Sequence, residues 1–214
     1  MARGAPLNAE HAAFLRTGVG FVRAARTVRA ALDQRHRYAH VLRVARMAER
    51  LARAHGVDPL SARTAGMLHD LARLYPAERL LRECAERGLA IDPFERAHPV
   101  VLHARLGAEL ARERFGVDDP GVLSAIRKHT LADAVMSPLD KVVYLADGLE
   151  PGRDFTDRAA LAALAYADLD AAMRAVVTSS IAYLLERGLT VAPQTVAAAV
   201  SFGAGAYAEE KRPA

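Results

Sequence analysis

The stretch Leu60-Ser-Ala-Arg-Thr-Ala-Gly-Met-Leu-His69-Asp70-Leu-Ala-Arg-Leu74 reads as one helix carrying an adjacent imidazole and carboxylate in otherwise apolar surroundings. Asp58-Pro59 in front of it supplies a cap and a first-turn proline. The same punctuation recurs outward in both directions. Tyr38–Ala54 is amphipathic and closes at Gly56, and Pro76–Arg87 ends at Gly88, a candidate left-handed cap. Val100–Phe115 is followed by Gly116, and Asp118-Asp119-Pro120 opens a helix over Pro120–His129. Ser137-Pro138 opens Pro138–Leu149, with Asp140 well placed in its first turn. A basic helix is expected across Phe21–Gln34 after a ragged start ending near Gly20, and Asp157–Gly188 reads as one broken long helix. Pro193–Phe202 is the last helix, and Glu209–Pro213 a frayed tail. With no repeat, no low-complexity linker and no strong strand signal, the fold class is all-α, a single-domain helical bundle. Its expected divisions are an N-terminal helical extension (1–34), a main domain (35–190) and a C-terminal helix with tail (191–214).

Composition agrees. The 214 residues are 52% apolar, without Trp, and rich in Ala, Leu and Arg, which favours helix over strand. The one cysteine, Cys84, rules out an intrachain disulfide. No signal-like or membrane-length apolar run is visible, so a soluble cytoplasmic protein without membrane contact is expected. The net charge of +4 is spread along helices and fits solvated faces as well as a field that attracts nucleotides.

Helical spacing turns several titratable groups inward. His103 shares a stripe with Leu106, Gly107, Leu110 and Ala111, and His129 shares a face with Val122 and Ile126. His40 is level with Val44 and Leu51, and Asp147 ends the run Val142-Val-Tyr-Leu-Ala-Asp147. One inward histidine is ordinarily a hydrogen-bonded core residue. Several helices each burying one, together with Asp70 and Asp147, are what a buried two-metal centre needs. Such a centre makes hydroxide from water at neutral pH and stabilises phosphoryl oxygens. His11, His36, His55 and His98, at helix ends or on basic surfaces, receive no role.

Tyr38-Ala-His40, Leu68-His69-Asp70 and Ala146-Asp147 together resemble the HD-domain superfamily of metal-dependent phosphohydrolases. The resemblance assigns His40, His69, Asp70 and Asp147 to a first metal. His103-Ala-Arg-Leu-Gly107-Ala108, Ala125-Ile126-Arg-Lys-His129-Thr130, Met136-Ser-Pro-Leu139-Asp-Lys141 and Ala146-Asp147-Gly-Leu-Glu150-Pro151-Gly-Arg153 narrow it to the YqeK branch, bacterial symmetrical diadenosine tetraphosphatases. There His103 and His129 would join Asp70 around a second ion. The resemblance implies two divalent or mixed-valence ions, iron by preference, with Mn, Co or Mg as alternatives. It also implies a dinucleoside polyphosphate substrate cut to two ADP by metal-bound hydroxide.

Asp70 would bridge the ions. Arg153 is the first choice for the cation that stabilises the departing phosphate, and Arg73, Lys128, Thr130, Lys141 and Glu150 complete the expected substrate contacts. Glu150 is expected either to orient water or to pair with Arg153. Among rivals, an HD-type nucleotidase needs only the first metal, which leaves His103 and His129 unused. No Gly-Tyr-Pro marks a cyclic-dinucleotide phosphodiesterase, and no further acidic pair marks a (p)ppGpp hydrolase. An RNA-binding module would lack aromatic stacking platforms, so no nucleic-acid partner is expected. The assembly state is open, a homodimer included.

Overall fold

The computed structural model describes residues 18–32 and 34–204; the expected ragged start, His11 and the tail at Glu209–Pro213 lie outside them. The described residues form eleven α-helices and no strand. In chain order these are α1 (Gly18–Ala31), α2 (Arg35–Ala54), α3 (Pro59–Leu68), α4 (Ala77–Glu86), α5 (Pro93–Ala97) and α6 (Leu102–Phe115). Then follow α7 (Pro120–Lys128), α8 (Pro138–Leu149), α9 (Arg158–Ala167), α10 (Leu169–Glu186) and α11 (Pro193–Ser201). No helix among the described residues is long and apolar enough to cross a membrane.

The start signals act as their chemistry dictates. Asp58 accepts from the Leu60 and Ser61 amides, and Asp119 from those of Gly121 and Val122. Ser137 and Asp140 form a reciprocal capping box at the head of α8. Gly116 closes α6 with φ 63°, a left-handed conformation that is costly for a residue with a Cβ.

Three expectations need correction. The helix expected over Leu60–Leu74 stops at Leu68. Beyond it the chain tightens into i→i−3 turns, Leu71 to Leu68, Arg73 to Asp70 and Tyr75 to Ala72. The region before α6 also holds α5 and a 3-10 turn at Pro99–Val101, because Pro99 forces His98 out of helical geometry. The basic helix begins at Gly18 and ends at Ala31 rather than Gln34. The expected break in the long C-terminal helix is at Asp168, which is extended and caps α10 through the Asp170 and Ala171 amides.

The apolar side chains form two cores that share α2 and α8. Val41 and Ala45 of α2 face one core with Leu68, Leu106 and Ile126. Val44, Met47, Ala48 and Leu51 face the other with Leu145, Leu149, Met173 and Val177. Val28 of α1 and Leu32 just after it pack into the first core, and α11 packs Ala198 and Ala199 into the second. Helices α2 and α3 meet closely enough that a Cβ on Gly66 would lie 2.9 Å from the Ala45 Cα. This contact fixes where α3 delivers His69.

Candidate metal centre

Five segments converge between the two cores. His40 comes from the second turn of α2, and His69 and Asp70 from the turn after α3. His103 stands in the first turn of α6, His129 just past the last residue of α7, and Asp147 near the end of α8. His40, His69, Asp70, His103 and His129 are all buried, at 6, 0, 3, 4 and 3% exposure.

Each imidazole is held from behind. Nδ1 of His69 lies 2.8 Å from the Gly66 carbonyl, that of His103 2.5 Å from Val100 O, and that of His129 2.7 Å from Ile126 O. A ring nitrogen facing a carbonyl must donate, so Nδ1 carries the proton and Nε2 presents its lone pair inward. His40 has the same arrangement with a carboxylate behind it, its Nδ1 lying 3.0 Å from Glu150 Oε1. His69 Nε2 is buried without a hydrogen-bond partner, and His40 Nε2 faces only carboxylates, Asp147 Oδ1 at 3.0 Å and Asp70 Oδ2 at 3.9 Å. A buried nitrogen left without a partner is costly, and a cation is the partner that removes the cost.

The donor spacing fits such a partner. Two donors about 2.1 Å from one ion lie about 3.0–3.4 Å apart. His40 Nε2 is 3.0 Å from Asp147 Oδ1, His103 Nε2 is 3.3 Å from Asp70 Oδ1, and the His103 and His129 Nε2 atoms are 3.1 Å apart. Asp70 is split between two sides. Its Oδ2 faces His40 at 3.9 Å and His69 at 3.7 Å, while Oδ1 faces His103 at 3.3 Å and His129 at 3.8 Å. Two donor groups, His40–His69–Asp147 and His69–Asp70–His129, are each compact enough to hold an ion.

Apart from His40, the shifted groups of the cluster are held in the forms that bind a metal. Burial would raise the Asp70 carboxyl, but His69, His103 and His129 beside it hold it well below the usual carboxylate range. Asp147 is held low in the same way against its burial, by His40, His69, His129 and Arg153. Burial, reinforced by His69 and His103, pushes His129 down to about 3, so it is neutral and free to ligate. Burial opposes the charge on His40, yet the Asp147 and Glu150 carboxylates raise it above its ordinary value. Glu150 lies at about 2 despite burial, because it accepts from Arg43, His40 and the Gly152 amide.

A cleft of about 300 Å³ opens over the cluster. Its lining includes the polar Arg37, Arg73, Thr130 and Arg153 together with Val100, Tyr144 and Val176. Of the expected substrate residues, Arg73, Thr130 and Arg153 are therefore present. Thr130 Oγ1 reaches Nε2 of both His103 and His129. Arg153 is tied to Asp147, its Nη2 donating to Oδ1 at 2.6 Å and its Nε to the carbonyl at 2.9 Å.

The remaining three are placed elsewhere. Lys128 caps the Val135 carbonyl and pairs with Asp140. Lys141 pairs with Asp170 beside Phe202, in a separate depression. Glu150 is buried behind His40 and pairs with Arg43, not Arg153. Arg37 and Arg43 went unforeseen, although each is three residues from His40 and so on its side of the helix. Of the histidines given no role, His36 is exposed, His55 bonds to Ala165 O, and His98 stacks on Phe94.

Residues 37–152 match the family model described as HD domain. This chain belongs to the HD-domain family. The HD match spans all six residues of the cluster, from His40 to Asp147. Among relatives, the protein named symmetrical bis(5'-nucleosyl)-tetraphosphatase from Bacillus subtilis is 33% identical over 160 residues, 75% of this chain and 86% of that one. A Mycoplasma genitalium protein named probable nicotinate-nucleotide adenylyltransferase/Ap4A hydrolase is 39% identical over 127 residues, which are 59% of this chain and 35% of that protein. A crystal structure from Clostridium acetobutylicum, described as a predicted HD superfamily hydrolase involved in NAD metabolism, superposes with a TM-score of 0.82 at 31% identity. The superposition covers 85% of this chain and 96% of that one.

Proposed function

We propose that this HD-domain phosphohydrolase cleaves diadenosine tetraphosphate symmetrically, releasing two molecules of ADP, with two metal ions in the cluster. The observation that carries the reading is the division of Asp70, one oxygen toward His40 and His69 and the other toward His103 and His129. A nucleotidase of the same family would leave the second pair of imidazoles without work. The names borne by relatives at about a third identity support the same substrate class.

His40, His69, Asp70 and Asp147 would hold one ion, and His103, His129 and Asp70 the other, with iron favoured by a donor set of imidazoles and carboxylates without thiolate. Ions bound there supply a water-derived nucleophile at neutral pH and Lewis acidity toward phosphoryl oxygens. The chain's own residues do the rest. The carbonyls behind His69, His103 and His129 fix ring orientation, and Glu150 does so for His40. Arg73 and Thr130 line the cleft where the phosphates would lie, and Val100, Tyr144 and Val176 in the same lining offer apolar surface for a base. Incubation of metal-loaded protein with diadenosine tetraphosphate, followed by anion-exchange chromatography, is the test. ADP as the sole product is expected; ATP with AMP, or no turnover, would contradict the proposal.

A further inference from the structure

A polyphosphate carries several negative charges, and cleaving it places more on the departing group, so the cleft needs cations whose N–H donors are free. The basic residues near the cluster differ in this respect. Arg153 spends Nε and Nη2 on Asp147, Lys128 is spent on Asp140 and Val135, and Lys141 on Asp170. Arg43 is locked on Glu150.

Arg37 is not committed in this way. It lines the cleft, its Nη1 stands 3.7 Å from Asp70 Oδ2, and its Nε is buried without a hydrogen-bond partner. That separation is within ion-pairing range but too long for a hydrogen bond, so the five N–H donors have no acceptor among the described residues. Its location is also costly. Arg37 sits in the first turn of α2, where Arg35 is also basic, no acid is present and Gln34 gives no cap bond. A cation there opposes the helix dipole. A locally unfavourable charge with unused donors, beside the carboxylate oxygen that faces His40 and His69, is what an anion-binding residue looks like before its anion arrives.

We propose that Arg37 is a catalytic residue that grips the phosphoryl group held against the Asp70 Oδ2 side of the cluster, by a two-pronged hydrogen bond to its oxygens. This rests on the phosphohydrolase reading above and adds the residue that recognises the phosphate. Arg73, three residues beyond Asp70 and also lining the cleft, is the neighbouring cation for the rest of the chain of phosphates.

The test compares wild type with Arg37→Gln and Arg37→Lys, measuring metal content, ADP affinity by equilibrium titration, and kinetics with diadenosine tetraphosphate. Arg37→Gln is expected to keep its metal and thermal midpoint, to bind ADP at least about tenfold more weakly, and to lose about a hundredfold in kcat/KM. Arg37→Lys should recover part of the loss, because it restores charge without the planar fork. Unchanged ADP affinity and kinetics in Arg37→Gln would overturn the proposal, and so would loss of metal, which would make Arg37 a support for Asp70. If wild type fails to cleave the dinucleotide while Arg37→Gln still weakens ADP binding, the assignment of Arg37 stands and the substrate reading falls.

Discussion

The Glu150 carboxylate receives His40 Nδ1, the Arg43 guanidinium and the Gly152 amide together while only 1% exposed. A Cβ on Gly152 would overlap the Arg43 guanidinium, which would have to shift. Carboxylates behind ligating histidines typically change metal affinity by 10–100-fold, so Glu150→Gln should weaken binding by about that factor in a chelator competition titration. Unchanged affinity would reduce the Glu150–Arg43 pair to a tie between helices. The same residues set the acid response of the metal-free protein. Glu150 is lowered, so its contribution is complete above its ordinary 4.5 and drains as pH falls toward about 2. His129 is also lowered, from 6.5 to about 3, so the unfolded chain takes up a proton there that the folded chain refuses, and stability again falls with pH. His40 is raised and acts oppositely, its contribution present below 6.5 and lost as pH rises through the raised value. Asp70 and Asp147 are lowered as well, so four groups lose their contribution in acid against His40 alone, and denaturant unfolding of metal-free protein should show lower stability at about pH 4 than at about pH 7. Equal or greater stability in acid would contradict this charge pattern.

At the scale of the elements, the site depends on where helices stop. His69 and His129 both follow the last residue of a short helix, each bonded to the carbonyl three residues back. Gly66→Ala would drive a methyl into the Ala45 backbone, parting α2 from α3 and shifting the carbonyl that orients His69. A cost of about 1–3 kcal/mol in unfolding free energy, with weakened metal binding, is expected from urea melts and metal analysis. The loop after His129 stores strain of another kind. Ala132 is buried with φ 58°, a left-handed conformation that is unfavourable for a residue with a Cβ. Ala132→Gly should relieve it and raise stability by about 0.5–1 kcal/mol in the same melts; a loss would show that the Ala132 methyl matters more than its backbone angle. The helix starts were legible because Asp58-Pro, Asp119-Pro and Ser137-Pro state their chemistry locally. The stop after Leu68 was not, since the sequence runs on to Tyr75 with no Gly or Pro to mark it.

For the whole molecule, the convergence of His40, His69, Asp70, His103, His129 and Asp147 was legible because buried charge needs a partner and helical spacing shows which residues are buried. Which cations face the cleft was legible only in part, since Arg73 and Arg153 line it while Lys128 and Lys141 are paired elsewhere. Lys141 and Asp170 are 29 residues apart, and only the packing of α8 on α10 brings them together and takes Lys141 away from the cluster. Arg37, by contrast, is brought to Asp70 by the contact of α2 with α3. Both cores border the cluster, so an ion bound there ties the two halves of the bundle together. Removing metal with a chelator should therefore lower the thermal midpoint, and adding it back should restore the midpoint in proportion to occupancy. His103→Ala should lose one equivalent of metal and remain folded. The most direct measurement is the metal content per chain of purified Asp70→Ala beside wild type, by elemental analysis. Two equivalents in wild type and almost none in the variant are expected; a variant that keeps both ions would contradict the bridging role of Asp70 on which the account depends.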